Sequence, residues 1–190
     1  AMGHLIRSLP VPSWTLPGNH DRNIQNLDQP LDHFHTHFGA SDYAFHHGSA
    51  FFMVFNNVSS TVKYGYEGRF NADQLEFIKN CLKNIPKDQL VILSQHIPMV
   101  NTKNRDEVLE LLHNYERVLI LSGHTHQVSR HFYGEGRIQE LVAGAPSGTW
   151  WTGEKDLKGV PLALMQCGSP RNYFVVDVNR NNYRIRFKGI

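Results

Sequence analysis

The stretch Arg117-Val118-Leu119-Ile120-Leu121 constrains the fold more than any other part of this 190-residue sequence. After the arginine it is continuously apolar and of strand length, as expected of a strand buried on both faces. Such a strand sits inside a parallel sheet with layers on either side. Residues 89–94 repeat the pattern, and helical segments separate the strands. Over residues 71–84, Leu75, Ile78 and Leu82 fall on one face before Pro86 stops the helix. Over residues 105–115, Val108, Leu111 and Leu112 do the same. Upstream, residues 11–16 read as a strand running into Pro17-Gly18-Asn19-His20-Asp21, and 31–38 as a short helix stopped by Gly39. Residues 43–47 and 50–55 read as a hairpin turning at His47-Gly48-Ser49. Beyond residue 121 the helices vanish, and 128–132, 138–142, 173–178 and 183–187 all carry strand patterns. An α/β layered domain over residues 4–143, followed by a small β-rich module over 144–190, is the expected organisation.

Composition narrows the function. Net charge is only +2 with Lys and Arg scattered, so no nucleic-acid partner is indicated. No run approaches the roughly 20 apolar residues that span a bilayer. Cys81 and Cys167 are too few for a disulfide scaffold and are expected as buried free thiols. The twelve histidines matter by position rather than by number.

Three strands each run into a loop bearing metal-ligand side chains: Asn19 with His20 and Asp21, then His96, then His124 with His126. Loops at the carboxyl ends of parallel strands converge, and active sites of open α/β sheets form there. Imidazole nitrogens with amide or carboxylate oxygens suit Zn, Mn, Fe or Ni better than Ca. Gly18 and Gly123 are expected to supply positive φ and close backbone approach. Taken singly, each piece has a plainer reading: His96 alone is a polar strand end. The three together point to a metal site.

Pro17-Gly18-Asn19-His20-Asp21, His96 after its apolar strand, and Gly123-His124-Thr125-His126 closely resemble the last three signature blocks of the calcineurin-like metallophosphoesterases. The resemblance covers about residues 11–142 and implies an α/β/β/α sandwich, of which this chain carries the C-terminal portion. It makes Asn19, His96 and His124 ligands of one divalent metal and His126 a ligand of a second. His20 becomes the acid that protonates the leaving oxygen, with Asp21 orienting its ring. The tail resembles a C-terminal module of a bacterial subfamily whose members are commonly exported. The substrate class implied is a phosphate mono- or diester.

The family pattern also requires an Asp-x-His and a Gly-Asp block, and neither occurs in these 190 residues. A bridging carboxylate normally offsets the charge of two ions held about 3.5–4 Å apart. With Asn19, His96 and His124 on one side and His126 alone on the other, this chain is expected to hold one ion or none and to be inactive alone. The alternative is a non-catalytic binding or scaffold fragment. Ala1-Met2-Gly3 reads as a cloning scar and both termini interrupt a pattern, so a missing N-terminal half is expected, with self-association through the edge it would leave.

Weaker candidates complete the reading. Trp150 and Trp151 form either a substrate wall or a packing contact, and Arg69, in a Gly-rich loop with Tyr64 and Tyr66, is a candidate phosphate contact. His33, His35 and His37 read as an exposed polar face rather than a metal site. Asn57 is either a turn residue or a pocket donor.

Overall fold

A computed structural model describes residues 2–60, 62–146, 153–160 and 171–190. Ten strands and four helices are described: α1 (Met2–Arg7), α2 (Asp32–Phe38), β1 (Tyr43–His47), β2 (Ala50–Val54), β3 (Val58–Ser59), β4 (Glu67–Gly68), α3 (Ala72–Leu82), β5 (Val91–Ser94), α4 (Arg105–Leu112), β6 (Val118–Ser122), β7 (Ser129–Tyr133), β8 (Ile138–Val142), β9 (Asn172–Asn179) and β10 (Asn182–Gly189). Six of the strands form one mixed sheet in the order β1-β2-β5-β6-β8-β7. β2, β5, β6 and β8 run parallel, and each edge strand is antiparallel to its neighbour.

Alternation along these strands builds two cores. Phe51, Met53, Val91, Leu93, Val118 and Ile120 face α3 and α4, where Ile78, Leu82, Val108 and Leu112 meet them. Ala50, Leu90, Ile92, Leu119 and Leu141 face the other way, against Phe174, Val176, Tyr183 and Ile185 of the β9–β10 hairpin. The central strand β6 is therefore covered on both faces, as its apolar run requires. Burying a side chain of this size contributes about 1.5–3 kcal/mol, so the two faces supply most of the drive to fold. The hairpin is also fastened by polar contacts: Tyr183 donates to Gln139 at 2.9 Å, and Ser49 donates to the Arg180 carbonyl at 2.8 Å. Among the described residues, no helix is long and apolar enough to cross a membrane.

α3 starts where its cap dictates. The Asn71 side chain accepts from the Gln74 amide at 2.8 Å, and Gln74 accepts from the Asn71 amide at 2.9 Å, a reciprocal capping box. The Gln74 amide group also donates to Asp42 and to the Asn56 carbonyl, tying the helix start to the ends of β1 and β2.

Residues 11–16 are not a strand. They pair with no neighbour, and Val11 and Trp14 are exposed. Pro10, Pro12 and Pro17 remove three backbone donors, so the segment offers a ladder little to hold. It lies instead along β1, with the Trp14 ring stacked on Phe45 at 4.6 Å and Tyr43 donating to the Thr15 carbonyl at 2.8 Å. The short β3–β4 ladder has no clear pattern in the sequence, because two residues are too few to display a period. Cys81 is a free thiol, half-buried, and burial raises its pKa. Cys167 lies outside the described residues.

Candidate metal centre

The polar site forms at the carboxyl ends of β5 and β6. These strands run in parallel register, Ser94 opposite Leu121, and the pairing continues past their ends as the Gly123 amide donates to the His96 carbonyl at 3.0 Å. Two histidines lying 28 residues apart are thereby set side by side, with ring centroids 5.0 Å apart. Asn19 joins them from a single 3-10 turn, Asn19–Asp21.

Three atoms converge. Asn19 Oδ1 lies 2.8 Å from His96 Nε2 and 3.2 Å from His124 Nδ1, and the two ring nitrogens are 3.2 Å apart. One proton can join any pair, but two imidazole nitrogens and an amide oxygen so placed form a triangle of lone-pair donors. Separations near 3 Å are those of adjacent ligands around one ion with bonds of about 2.0–2.1 Å. The electrostatics agree with the geometry. Burial, then the nearby charges of His124, His126 and His20, hold the His96 pKa down to about 4. Burial, then His126 and His20, lower that of His124. Both rings are neutral at pH 7, the form that ligates metal. The donor set therefore fits a divalent ion. Among the described residues, no group of three His, Cys, Asp or Glu side chains gathers in this way; the amide of Asn19 completes the triangle.

The glycines serve the site differently from expectation. Gly18 is extended, with φ −105°, and Gly123 is absent from the positive-φ positions. It is His124, at φ 67°, and His126, at φ 57°, that adopt the left-handed conformation. Such non-glycine geometry costs about 1–3 kcal/mol and persists where surrounding contacts impose it. Gly18 is needed for space: a Cβ there would lie 2.9 Å from His96 Cε1.

The other candidates fall on both sides of this centre. His20 is exposed on the Asn19 turn, near enough for its charge to act on His96 and His124. Asp21 accepts from the Gly18 amide at 2.7 Å and so closes the turn that carries Asn19. His126 acts electrostatically on both central rings. Arg69 is engaged with Glu67 at 2.6 Å on the surface. Trp150 and Trp151 lie outside the described residues. His33, His35 and His37 are exposed on α2, with His35 Nε2 3.3 Å from Ser41 Oγ.

Four residues matter here in ways the motifs did not indicate. Arg22 donates to the carbonyls of Asn19 and Gly65, both at 3.1 Å, and its guanidinium lies over the Tyr66 ring. Tyr66 stands edge-on to His124 at 5.7 Å and borders a cleft of about 360 Å³ shared with Glu67, Asn101, Lys103, His124 and Thr125. Asn57, fully buried, grips the backbone at residues 96 and 97. Glu140, also fully buried, accepts from the Met99 amide and Ser122 hydroxyl at 2.8 Å and from Tyr133 at 3.0 Å. One carboxylate thus braces the loops after both β5 and β6. The only sequence signals for these last two are a polar residue closing an apolar strand and an acidic one within an apolar strand.

Comparison with known proteins bears on the family. A family model described as "Calcineurin-like phosphoesterase" matches residues 1–128, and one described as "C terminal of Calcineurin-like phosphoesterase" matches residues 140–190. A 3',5'-cyclic-nucleotide phosphodiesterase of Nostoc sp. is 29% identical over 137 residues, 67% of this chain and 49% of the relative. A probable glycerophosphodiester phosphodiesterase of Arcobacter nitrofigilis is 26% identical over 153 residues, 75% of this chain and 55% of the relative. The chain spans about half the length of these curated relatives.

Proposed function

Because the chain belongs to the calcineurin-like phosphoesterase family, we propose that it contributes one part of a two-metal centre that hydrolyses phosphate esters, diesters foremost. The observation that carries this reading is the convergence of Asn19 Oδ1, His96 Nε2 and His124 Nδ1 within 2.8–3.2 Å of one another. Asn19, His96 and His124 hold the first ion, and His126 contributes to the second. Bound divalent ions supply Lewis acidity toward the phosphoryl oxygens and make a water nucleophilic at neutral pH. His20 gives its proton to the departing oxygen, from a turn that Asp21 and Arg22 hold closed. The cleft beside His124 receives one arm of the ester, between Tyr66 and Lys103. Preference for diesters is carried over from the two relatives, whose descriptions both name phosphodiesterases.

The remaining ligands of such a centre are an Asp-x-His and a Gly-Asp block, and the 190 residues contain neither. Alone, the chain therefore binds one ion weakly and turns over little. A role as a binding fragment without turnover is the second reading, and the same sequence observation favours it. Metal content, together with hydrolysis of p-nitrophenyl phosphate and its bis-ester in added Mn²⁺, tests both. Metal uptake that His96→Ala removes is the expected result. No uptake by the wild-type chain would overturn the metal reading. Robust turnover that vanishes in His20→Asn would overturn the division of the centre.

A further inference from the structure

Asn57 belongs to no signature block, yet every polar atom of its side chain is committed to the segment that carries His96. Its Oδ1 accepts from the His96 amide at 3.1 Å and from the Ile97 amide at 2.9 Å. Its Nδ2 donates to the Ile97 carbonyl at 2.7 Å and to Thr102 Oγ1 at 3.3 Å. Two acceptances and two donations saturate a carboxamide, and the partners fix which end is oxygen. The residue is 0% exposed, so none of these bonds is exchanged with water. Asn57 is itself anchored: the Asn56 amide donates to Asp42 at 3.0 Å, and Gln74 grips both Asp42 and the Asn56 carbonyl.

We infer that Asn57 is a positioning residue for His96, setting the path of backbone 96–97 so that Nε2 meets Asn19 Oδ1 and His124 Nδ1. The inference rests on the metal reading for its consequence but not for its geometry. β5 ends at Ser94, so His96 has no ladder on the β2 side to orient it. Asn57, arriving from the end of β2, replaces that missing ladder with a side chain. Asp in its place would keep the two acceptances but set an anionic oxygen against the Ile97 carbonyl; Ala would lose all four bonds. A residue that orients a ligand typically changes metal affinity 10–100-fold when altered.

The test uses the full 190-residue chain as wild type, Asn57→Ala, Asn57→Asp and, as a destabilised control away from the site, Leu82→Ala at the end of α3 in the core. Zn²⁺ affinity is measured by competition with a chromophoric chelator, and the ¹⁵N resonances of the His96 ring are recorded in metal-free protein. Both Asn57 variants are expected to lose about 10- to 100-fold in Zn²⁺ affinity and to shift the His96 ring resonances. Leu82→Ala should lower the urea midpoint while leaving affinity and resonances as in wild type. Unchanged affinity and resonances in the Asn57 variants, or an equal loss in Leu82→Ala, would overturn the inference. If one Asn57 variant fails to fold, the other decides. Should the wild-type chain bind no Zn²⁺, the proposed function fails separately, and the metal-free ring resonances still decide the role of Asn57.

Discussion

The three converging side chains reach the site by two different routes. His96 and His124 leave neighbouring strands of the central sheet, joined by a backbone bond and braced from beneath by Asn57 and Glu140. Asn19 arrives on residues 8–18, which form no ladder and are held by side chains: Trp14 on Phe45, Tyr43 to Thr15, Asp21 to Gly18, and Arg22 to Gly65. Two of these side chains therefore share the cooperative stability of the core, while the third rests on contacts that open locally at lower cost. Damage to the core should remove the whole fold. Damage to the segment should release only Asn19.

The largest contrast is a core truncation. Ile120→Ala, beneath the His124 loop, should cost about 2–5 kcal/mol in urea unfolding. Trp14→Ala should cost less, losing a ring pair worth about 0.5–1.5 kcal/mol beyond the burial of a half-exposed side chain, yet still weaken metal binding. Equal effects of the two on the urea midpoint would show that residues 8–18 fold as part of the core.

Next is Gly18→Ala. Its methyl would lie 2.9 Å from the His96 ring, so ring and turn must part by several tenths of an ångström. Metal affinity should fall by about tenfold, worth about 1.4 kcal/mol, with thermal stability nearly kept. A variant that binds as wild type would mean that the turn yields without cost, and that Asn19 is looser than its contacts imply.

Acid sharpens the comparison further. The folded pKa of His96 is depressed, from 6.5 to about 4. The folded state thus binds fewer protons than the unfolded chain, and stability rises with pH in this window. The contribution is complete above about 6.5 and is lost as pH falls toward 4. In metal-free protein the urea midpoint should fall more steeply between these values for wild type than for His96→Gln. Parallel slopes would contradict the buried, crowded state of the ring.

The smallest effect concerns association. The β9–β10 hairpin already covers the second face of the sheet, while Leu9, Val11 and Trp14 are among the exposed apolar groups. We propose a weak, concentration-dependent dimer, visible by light scattering at high concentration and suppressed by Val11→Lys. A monomer across the whole dilution series would dismiss it.

Much of this molecule was legible in order along the chain. Apolar runs of strand length located β5, β6 and β8, a threefold-to-fourfold repeat located α3 and α4, and the polar residues just past β5 and β6 marked His96 and His124. These are local signals, because period and capping depend on neighbours a few residues away. Tertiary structure decided the rest. Residues 11–16 have a strand's composition, but Pro12 within them and Pro10 and Pro17 beside them remove the backbone donors a ladder would need, and they stay out of the sheet. The left-handed conformations fall on His124 and His126 rather than on Gly18 and Gly123. Asn57 became a brace only when Ile97, 40 residues on, came to rest against it, and Glu140 when Met99, 41 residues back, did. Sequence determined most of the elements and placed polar side chains just past the strand ends. The packing of the sheet between helices and hairpin decided which polar groups were buried, and burial is what turns an ordinary amide or carboxylate into a fixed support.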